Sequence, residues 1–173
     1  MRIILFLVVT LCFATSASAQ DAAALASVRA AYAAQAKGKW DEALRLAAPA
    51  GQVAVDLIQW DRLRAGRGQF SQAIEFLHRR PDWPGLPYLR KRSEATIEAD
   101  AAPQDVIAFF SDTPPKTANG SLRLAQALHK TGQQAAAIPA AQWGRRSFRM
   151  LLRPHDDYPP LFWPHLHTLQ PSP

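Results

Sequence analysis

Residues 66 to 97 read Gly66-Arg-Gly-Gln-Phe-Ser-Gln-Ala-Ile-Glu-Phe-Leu-His-Arg-Arg-Pro-Asp-Trp-Pro-Gly-Leu-Pro-Tyr-Leu-Arg-Lys-Arg-Ser-Glu-Ala-Thr-Ile97. Phe70, Ala73, Ile74 and Leu77 recur at three- and four-residue spacing and so share one face of a helix. Pro81, Pro84 and Pro87 forbid a continuous helix through the middle of the stretch. Leu86, Leu89, Ser93 and Ile97 then restart the helical period. The unit is a helix, a rigid corner and a second helix. Each helix carries a single apolar stripe and needs a neighbour to cover it.

The same grammar recurs along the chain. Gly38-Lys-Trp40-Asp-Glu-Ala43-Leu44 matches Gly68-Gln-Phe70-Ser-Gln-Ala73-Ile74, both glycine, aromatic at +2, alanine at +5, aliphatic at +6. Gly132-Gln-Gln-Ala-Ala-Ala137-Ile138 keeps the pattern without the aromatic, and Ala101-Ala-Pro-Gln-Asp-Val106-Ile107 is a worn copy. The four starts lie 30, 33 and 31 residues apart. Such a stride indicates stacked helical hairpins. The glycine marks the turn between the helices of a pair, the alanine lets them approach, and the aromatic fills the space between hairpins. One hairpin cannot cover its own apolar face, whereas a stack can. Helices are expected over 22–36, 40–48, 51–65, 70–79, 87–99, 103–110, 118–131 and 133–143, with Asp41 and Ser71 helping to cap theirs. The expected fold is all-α, a right-handed superhelical stack of hairpins (an α-solenoid of the tetratricopeptide kind) over residues 20–143.

The first 19 residues have a different purpose. Arg2 precedes an apolar run from Ile3 to Phe13 broken only by Thr10, too short to span a bilayer. Ala17-Ser18-Ala19 supplies the small residues of a cleavage site before Gln20. This is a secretory signal peptide, and the expected destination is the periplasm, with no stable membrane span after cleavage. Cys12, the one cysteine, lies inside that leader, so no disulfide framework is available. Roughly 150 residues remain, enough for one domain with a real core. The net charge is +6 and the pI near 10.0. Such a balance favours anionic partners, although Arg29, Arg45, Arg62, Arg64 and Arg67 are scattered as solvated helix-face charges are. Export argues against a nucleic-acid partner.

The run Pro81-Asp-Trp83-Pro84-Gly85, with Leu89, Arg90 and Glu94 downstream, resembles the N-terminal superhelical domain of soluble lytic transglycosylases. Pro115-Lys-Thr117-Ala-Asn-Gly120, followed by Leu124-Ala125, Ala127-Leu128 and Gly132, is similar to the next repeats of the same family. The resemblance spans about residues 22 to 143. It implies peptidoglycan turnover: members cut between N-acetylmuramic acid and N-acetylglucosamine, leaving a 1,6-anhydro end, through one glutamic acid in a C-terminal lysozyme-like domain. Such an acid needs a raised pKa in a substrate cleft. Their N-terminal helices form a curved scaffold that holds the polymer.

This chain carries no counterpart of that domain. The family's catalytic glutamate stands in a Glu-Ser pair, and no Glu-Ser occurs here. The last glutamate is Glu98. Glu94 and Glu98, one helical turn apart, read as solvated carboxylates of an exposed helix. No catalytic residue, cofactor or metal is expected, and no glycosidic cleavage. Trp83, Pro84, Gly85, Leu89, Arg90, Glu94, Gly120 and Gly132 are expected to be structural family positions. Trp40, Trp60 and Trp83 are the candidates for stacking on sugars, against the commoner role of filling space between hairpins.

From Gly144 the helical period is expected to stop. Arg145, Arg146, Arg149 and Arg153 cluster, and Pro154, Pro159, Pro160, Pro164, Pro171 and Pro173 follow. Two readings stand: an out-of-frame ending after a truncation near Trp143, or a genuine basic-aromatic tail anchored by Phe148, Tyr158, Phe162 and Trp163. His165-Leu-His167 with His155, Asp156 and Asp157 has zinc-like spacing, but no cysteine supports it and prolines flank it. The function expected is therefore the non-catalytic helical part of a truncated lytic transglycosylase, binding glycan strands. The alternatives are a periplasmic adaptor that binds a protein partner, and an inert gene remnant. A hairpin stack cut mid-array exposes an apolar side, so self-association is also expected.

Overall fold

A computed structural model describes residues 20–147; residues 1–19, expected to be a signal peptide, most of the expected tail and the His165/His167 group lie outside the described residues. Among the described residues the chain is all-helical, with eight α-helices, two 3-10 turns and no strand. They are α1 (20–36), α2 (Trp40–Ala47), α3 (Gln52–Arg64), α4 (Phe70–Arg79), α5 (Leu86–Ser93), α6 (Pro103–Phe109), α7 (Ala118–Lys130) and α8 (Gln134–Ser147). The described residues divide into two compact units, 20–62 and 63–147.

The repeat register is visible in the burial pattern. The second helix of each pair starts at the +2 position, at Trp40, Phe70, Pro103 and Gln134. The +5 residues Ala43, Ala73, Val106 and Ala137 are all buried. The +6 residues Leu44, Ile74, Ile107 and Ile138 are all half-buried. A small residue at +5 allows close helix approach, and the branched chain beside it seals the edge.

In the first unit, Ala31, Ala34, Ala43, Ala47 and Ile58 form the core, with Leu44, Leu46, Ala54 and Val55 packed against it. Four of the five core residues are alanine, so the helices approach closely. Polar ties fasten the rim: Gln35 Nε2 donates to Asp61 Oδ2 at 3.0 Å, and Arg62 pairs with Asp41 at 2.8 Å. Asp41 is thus engaged in a cross-helix ion pair, and no side-chain cap bond is made at the α2 N-terminus.

In the second unit, α4 packs with α5, α6 with α7, and α7 with α8. Phe70 on α4 meets Phe109 on α6 edge-on, at 5.2 Å between centroids, and Phe109 meets Phe110 at 4.9 Å. Phe70 therefore fills space between α4 and α6. Leu122, Ala125, Leu128, Ala137 and Ala141 form the core of the last hairpin. At the α4 N-terminus Gln72, not Ser71, does the capping: its Oε1 accepts from the Gln69 backbone N–H at 3.0 Å.

The glycines divide into two kinds. Gly38 and Gly132 close their turns at φ 73° and 76°. In the second repeat that duty falls to Gly66 (φ 69°), whereas Gly68 is needed because a Cβ there would collide with Leu63 Cδ2. An added Cβ at Gly132 meets nothing within 4 Å. Gly132→Ala should therefore cost only the left-handed backbone term, about 1–2 kcal/mol, seen as a lower urea midpoint at unchanged slope.

Two helices end elsewhere than expected. α5 stops at Ser93 and passes through a 3-10 turn, Glu94–Thr96, to extended Ile97. Ser93 Oγ donates to Leu89 O at 2.9 Å and Thr96 Oγ1 to Ser93 O at 2.8 Å, local bonds that compete with helix continuation. The carbonyls so released are taken up by α7: Asn119 Nδ2 donates to Glu94 O at 2.7 Å and Arg123 Nε to Ile97 O at 3.2 Å. α8 continues past Trp143 to Ser147 and carries Pro139 inside it. Ala137 and Ala141 are fully buried on either side of the proline, and this burial offsets the missing backbone hydrogen bond.

Candidate functional site

Of the positions singled out in the sequence, Glu94 and Gly120 meet at the joint between the end of α5 and the start of α7. The elbow sets the direction of α5. Trp83 lies half-buried, edge-on to the fully buried Phe76 at 5.9 Å, with the Arg80 guanidinium 5.4 Å from its ring centroid. Its indole Nε1 is buried without a hydrogen-bond partner. Gly85 stands in the left-handed region at φ 70° and starts α5, with Pro87 in the first turn, where its missing N–H costs nothing. Leu89 is completely buried. Arg90 places its guanidinium 5.2 Å from the Phe109 ring centroid and donates from Nη1 to Phe109 O at 3.0 Å, tying α5 to the end of α6.

Glu94 is the centre of the joint. It is 2% exposed, which corrects the expectation of a solvated carboxylate paired with Glu98. The helix ends at Ser93, so the two glutamates do not share an α-helical face, and only Glu98 is exposed. The Lys116 backbone N–H donates to Glu94 Oε1 at 2.7 Å and Oε2 at 3.0 Å, and Thr117 Oγ1 donates to Oε2 at 2.6 Å. Thr117 is the N-cap of α7, and its Oγ1 in turn accepts from Gly120 N at 3.1 Å. Glu94 therefore caps α7 through space, from 22 and 23 residues away. A carboxylate at a helix N-terminus also complements the helix dipole.

Gly120 makes this approach possible. A Cβ there would overlap Glu94 Oε2 and lie 2.8 Å from its Cδ and 3.1 Å from Phe110 Cζ. Burial pushes the Glu94 carboxyl above its ordinary range; the hydrogen bonds from Thr117 and Lys116 and the Lys116 charge oppose that rise in part. A raised carboxyl is what acid catalysis uses, but here the oxygens are enclosed by Lys116 and Thr117 rather than turned to a substrate cleft. The arrangement is a fastening.

Trp40 and Trp60 are half-buried on α2 and α3 of the first unit, and Trp83 belongs to the second unit. Gly132 serves the α7–α8 turn and takes no part in the joint. Pro84 is exposed in the elbow. The residues that complete the joint are Lys116, Thr117 and Asn119. Their signal was the threonine three residues before Gly120 at the head of an apolar-periodic run, a capping pattern that carries no mark of its distant partner.

Two further concavities lie in the second unit. One, of about 200 Å³, runs between α4 and α6 and is lined by Phe70, Ser71, Ile74, Glu98 and Asp105 among others. The other, of about 370 Å³, lies between the α6–α7 loop, α7 and α8. Among the described residues no group of three or more His, Cys, Asp or Glu is placed to hold a metal, and no helix is long and apolar enough to cross a membrane. Compared with protein-family models, curated proteins and solved structures, the chain matches none.

Proposed function

We propose that this chain is the non-catalytic helical part of a soluble lytic transglycosylase, acting in peptidoglycan turnover in the periplasm. Its hairpins would stack as a superhelical scaffold that holds glycan strands. The observation that supports the reading is the joint itself. Arg90, Glu94 and Gly120 resemble family positions in sequence, and they are also residues that fasten α5 and the turn after it to α6 and α7. Positions 26 residues apart that only make sense together are better explained by a shared architecture than by a chance run of helix formers. The chemistry agrees with a binding role, because the one buried glutamate is consumed by helix capping.

The test is co-sedimentation of the purified, exported protein with cell-wall sacculi, followed by analysis of the supernatant for anhydro-sugar products. We expect the protein in the pellet, released by salt in keeping with its positive charge, and no anhydro products. Protein that stays in the supernatant at low salt would remove the glycan-binding reading and leave the adaptor. Anhydro products would show that the chain is catalytic after all.

A further inference from the structure

Seven of the chain's 20 lysines and arginines fall within residues 64–92, against two of its 14 acids, so this stretch carries +5 of the net charge of +6. Part of that charge is gathered on one side of α5. Tyr88, Lys91 and Arg92 stand at i, i+3 and i+4, the spacing of a single helix face, and all three are exposed. The face is held in place by the chain before it. Arg92 Nε donates to Arg64 O and Arg92 Nη2 to Ala65 O, both at 3.3 Å. An added Cβ at Gly66 would come within 2.9 Å of Arg92 Nη2, so the guanidinium lies against the turn that follows α3. The Arg64 guanidinium sits over the Tyr88 ring, 5.3 Å from its centroid. Tyr88 is nevertheless 51% exposed.

A half-open aromatic ring with fixed cations beside it selects a partner on two counts. The ring receives a flat, weakly polar surface, and the cations receive negative charge. A glycan strand whose sugars carry carboxylates offers both within one helical turn: the apolar face of a sugar ring for Tyr88, and a carboxylate for Lys91 and Arg92. A lipid surface fits less well. Leu86 is half-buried and Leu89 fully buried, so α5 presents no exposed leucine to sink into a headgroup layer. The expected export sets nucleic acid aside. We propose that Tyr88, Lys91 and Arg92 on α5, backed by Arg64, form the surface through which this chain holds acidic glycan. This inference rests on the glycan-binding reading and names its contact surface.

Titration of the full exported chain against cell-wall sacculi at low salt tests it. Lys91→Glu weakens binding at least fivefold. Lys37→Glu, exposed in the first unit, makes the same change of charge and stays within twofold of the parent. Tyr88→Ala also weakens binding at least fivefold, whereas Tyr88→Phe keeps the ring and binds as the parent does. Parent-like binding by either Lys91→Glu or Tyr88→Ala would overturn the proposal and leave the glycan-binding reading standing on another surface. Equal losses at Lys37 and Lys91 would overturn it too, in favour of attraction by net charge alone. A parent protein that does not pellet removes the proposal and the reading together. Tighter pelleting with vesicles of anionic phospholipid, lost in the same variants, would reassign the surface to lipid. Should Tyr88→Ala lose helical signal, the comparison of Lys91→Glu with Lys37→Glu decides, since both side chains are exposed.

Discussion

Glu94→Ala lowers the unfolding free energy by about 3 kcal/mol at neutral pH. The Lys116 N–H and the Thr117 hydroxyl lose their acceptor inside the protein, and each buried group left unsatisfied costs about 1–3 kcal/mol. The void left by the side chain adds to this. The desolvation already borne by the buried carboxylate subtracts from it. Urea denaturation reads the change, and a loss below about 1 kcal/mol would mean that the carboxylate does not fasten α7. Glu94→Gln retains a carbonyl acceptor but turns an amide N–H₂ toward donors, so an intermediate loss of about 1–2 kcal/mol is expected.

The pH dependence has a definite sign. Burial raises the Glu94 pKa above its ordinary 4.5, so the folded state holds this proton more tightly than the unfolded chain does. The stability that Glu94 contributes is then fully present below about pH 4.5 and declines as pH rises through the folded-state pKa. Glu94→Gln cannot titrate, so its stability should fall less than the parent's between pH 4 and 7. Parallel stability curves for the two proteins over that window would contradict the assignment.

Gly120→Ala costs about 3 kcal/mol, although alanine is intrinsically the better helix former by about 1 kcal/mol. The added methyl group overlaps Glu94 Oε2. That oxygen is not the loose end of a flexible side chain, because Lys116 and Thr117 hold it. Accommodating the methyl means breaking those bonds or moving α7 away from α5, and overpacking of this kind costs about 1–3 kcal/mol, occasionally more. The joint predicts non-additivity. In a Glu94→Ala background the obstacle is gone, so Gly120→Ala should cost under about 1 kcal/mol, a coupling of about 2 kcal/mol. Phe110 Cζ, 3.1 Å from the new carbon, is the residual restraint. Additive losses in the double variant would show that Gly120 is required for some reason other than Glu94.

The repeat register of the helices was legible in the residues because it is made of local physics. Helical periodicity, the break imposed by Pro81, Pro84 and Pro87, and the glycines at Gly38 and Gly132 act within a few positions of themselves. The matched +2 helix starts and buried +5 residues follow from that local pattern. Burial of Glu94 was not legible. A glutamate between a serine and an alanine, four residues before another glutamate, has the sequence of a solvated turn. The carboxylate is drawn inside by the α7 N-terminus, which lies more than twenty residues downstream and has donors that need an acceptor.

The amino-acid order alone determined the all-helical class, the stride near thirty residues and the turns at Gly38 and Gly132, since each arises from contacts between near neighbours along the chain. Only the tertiary structure decided that α5 ends at Ser93, that α8 runs to Ser147, that Gly66 and not Gly68 makes the second turn, and that Glu94 and Gly120 form one joint. Helix ends, and buried charges most of all, are settled by whichever distant group can satisfy the backbone amides and carbonyls left over.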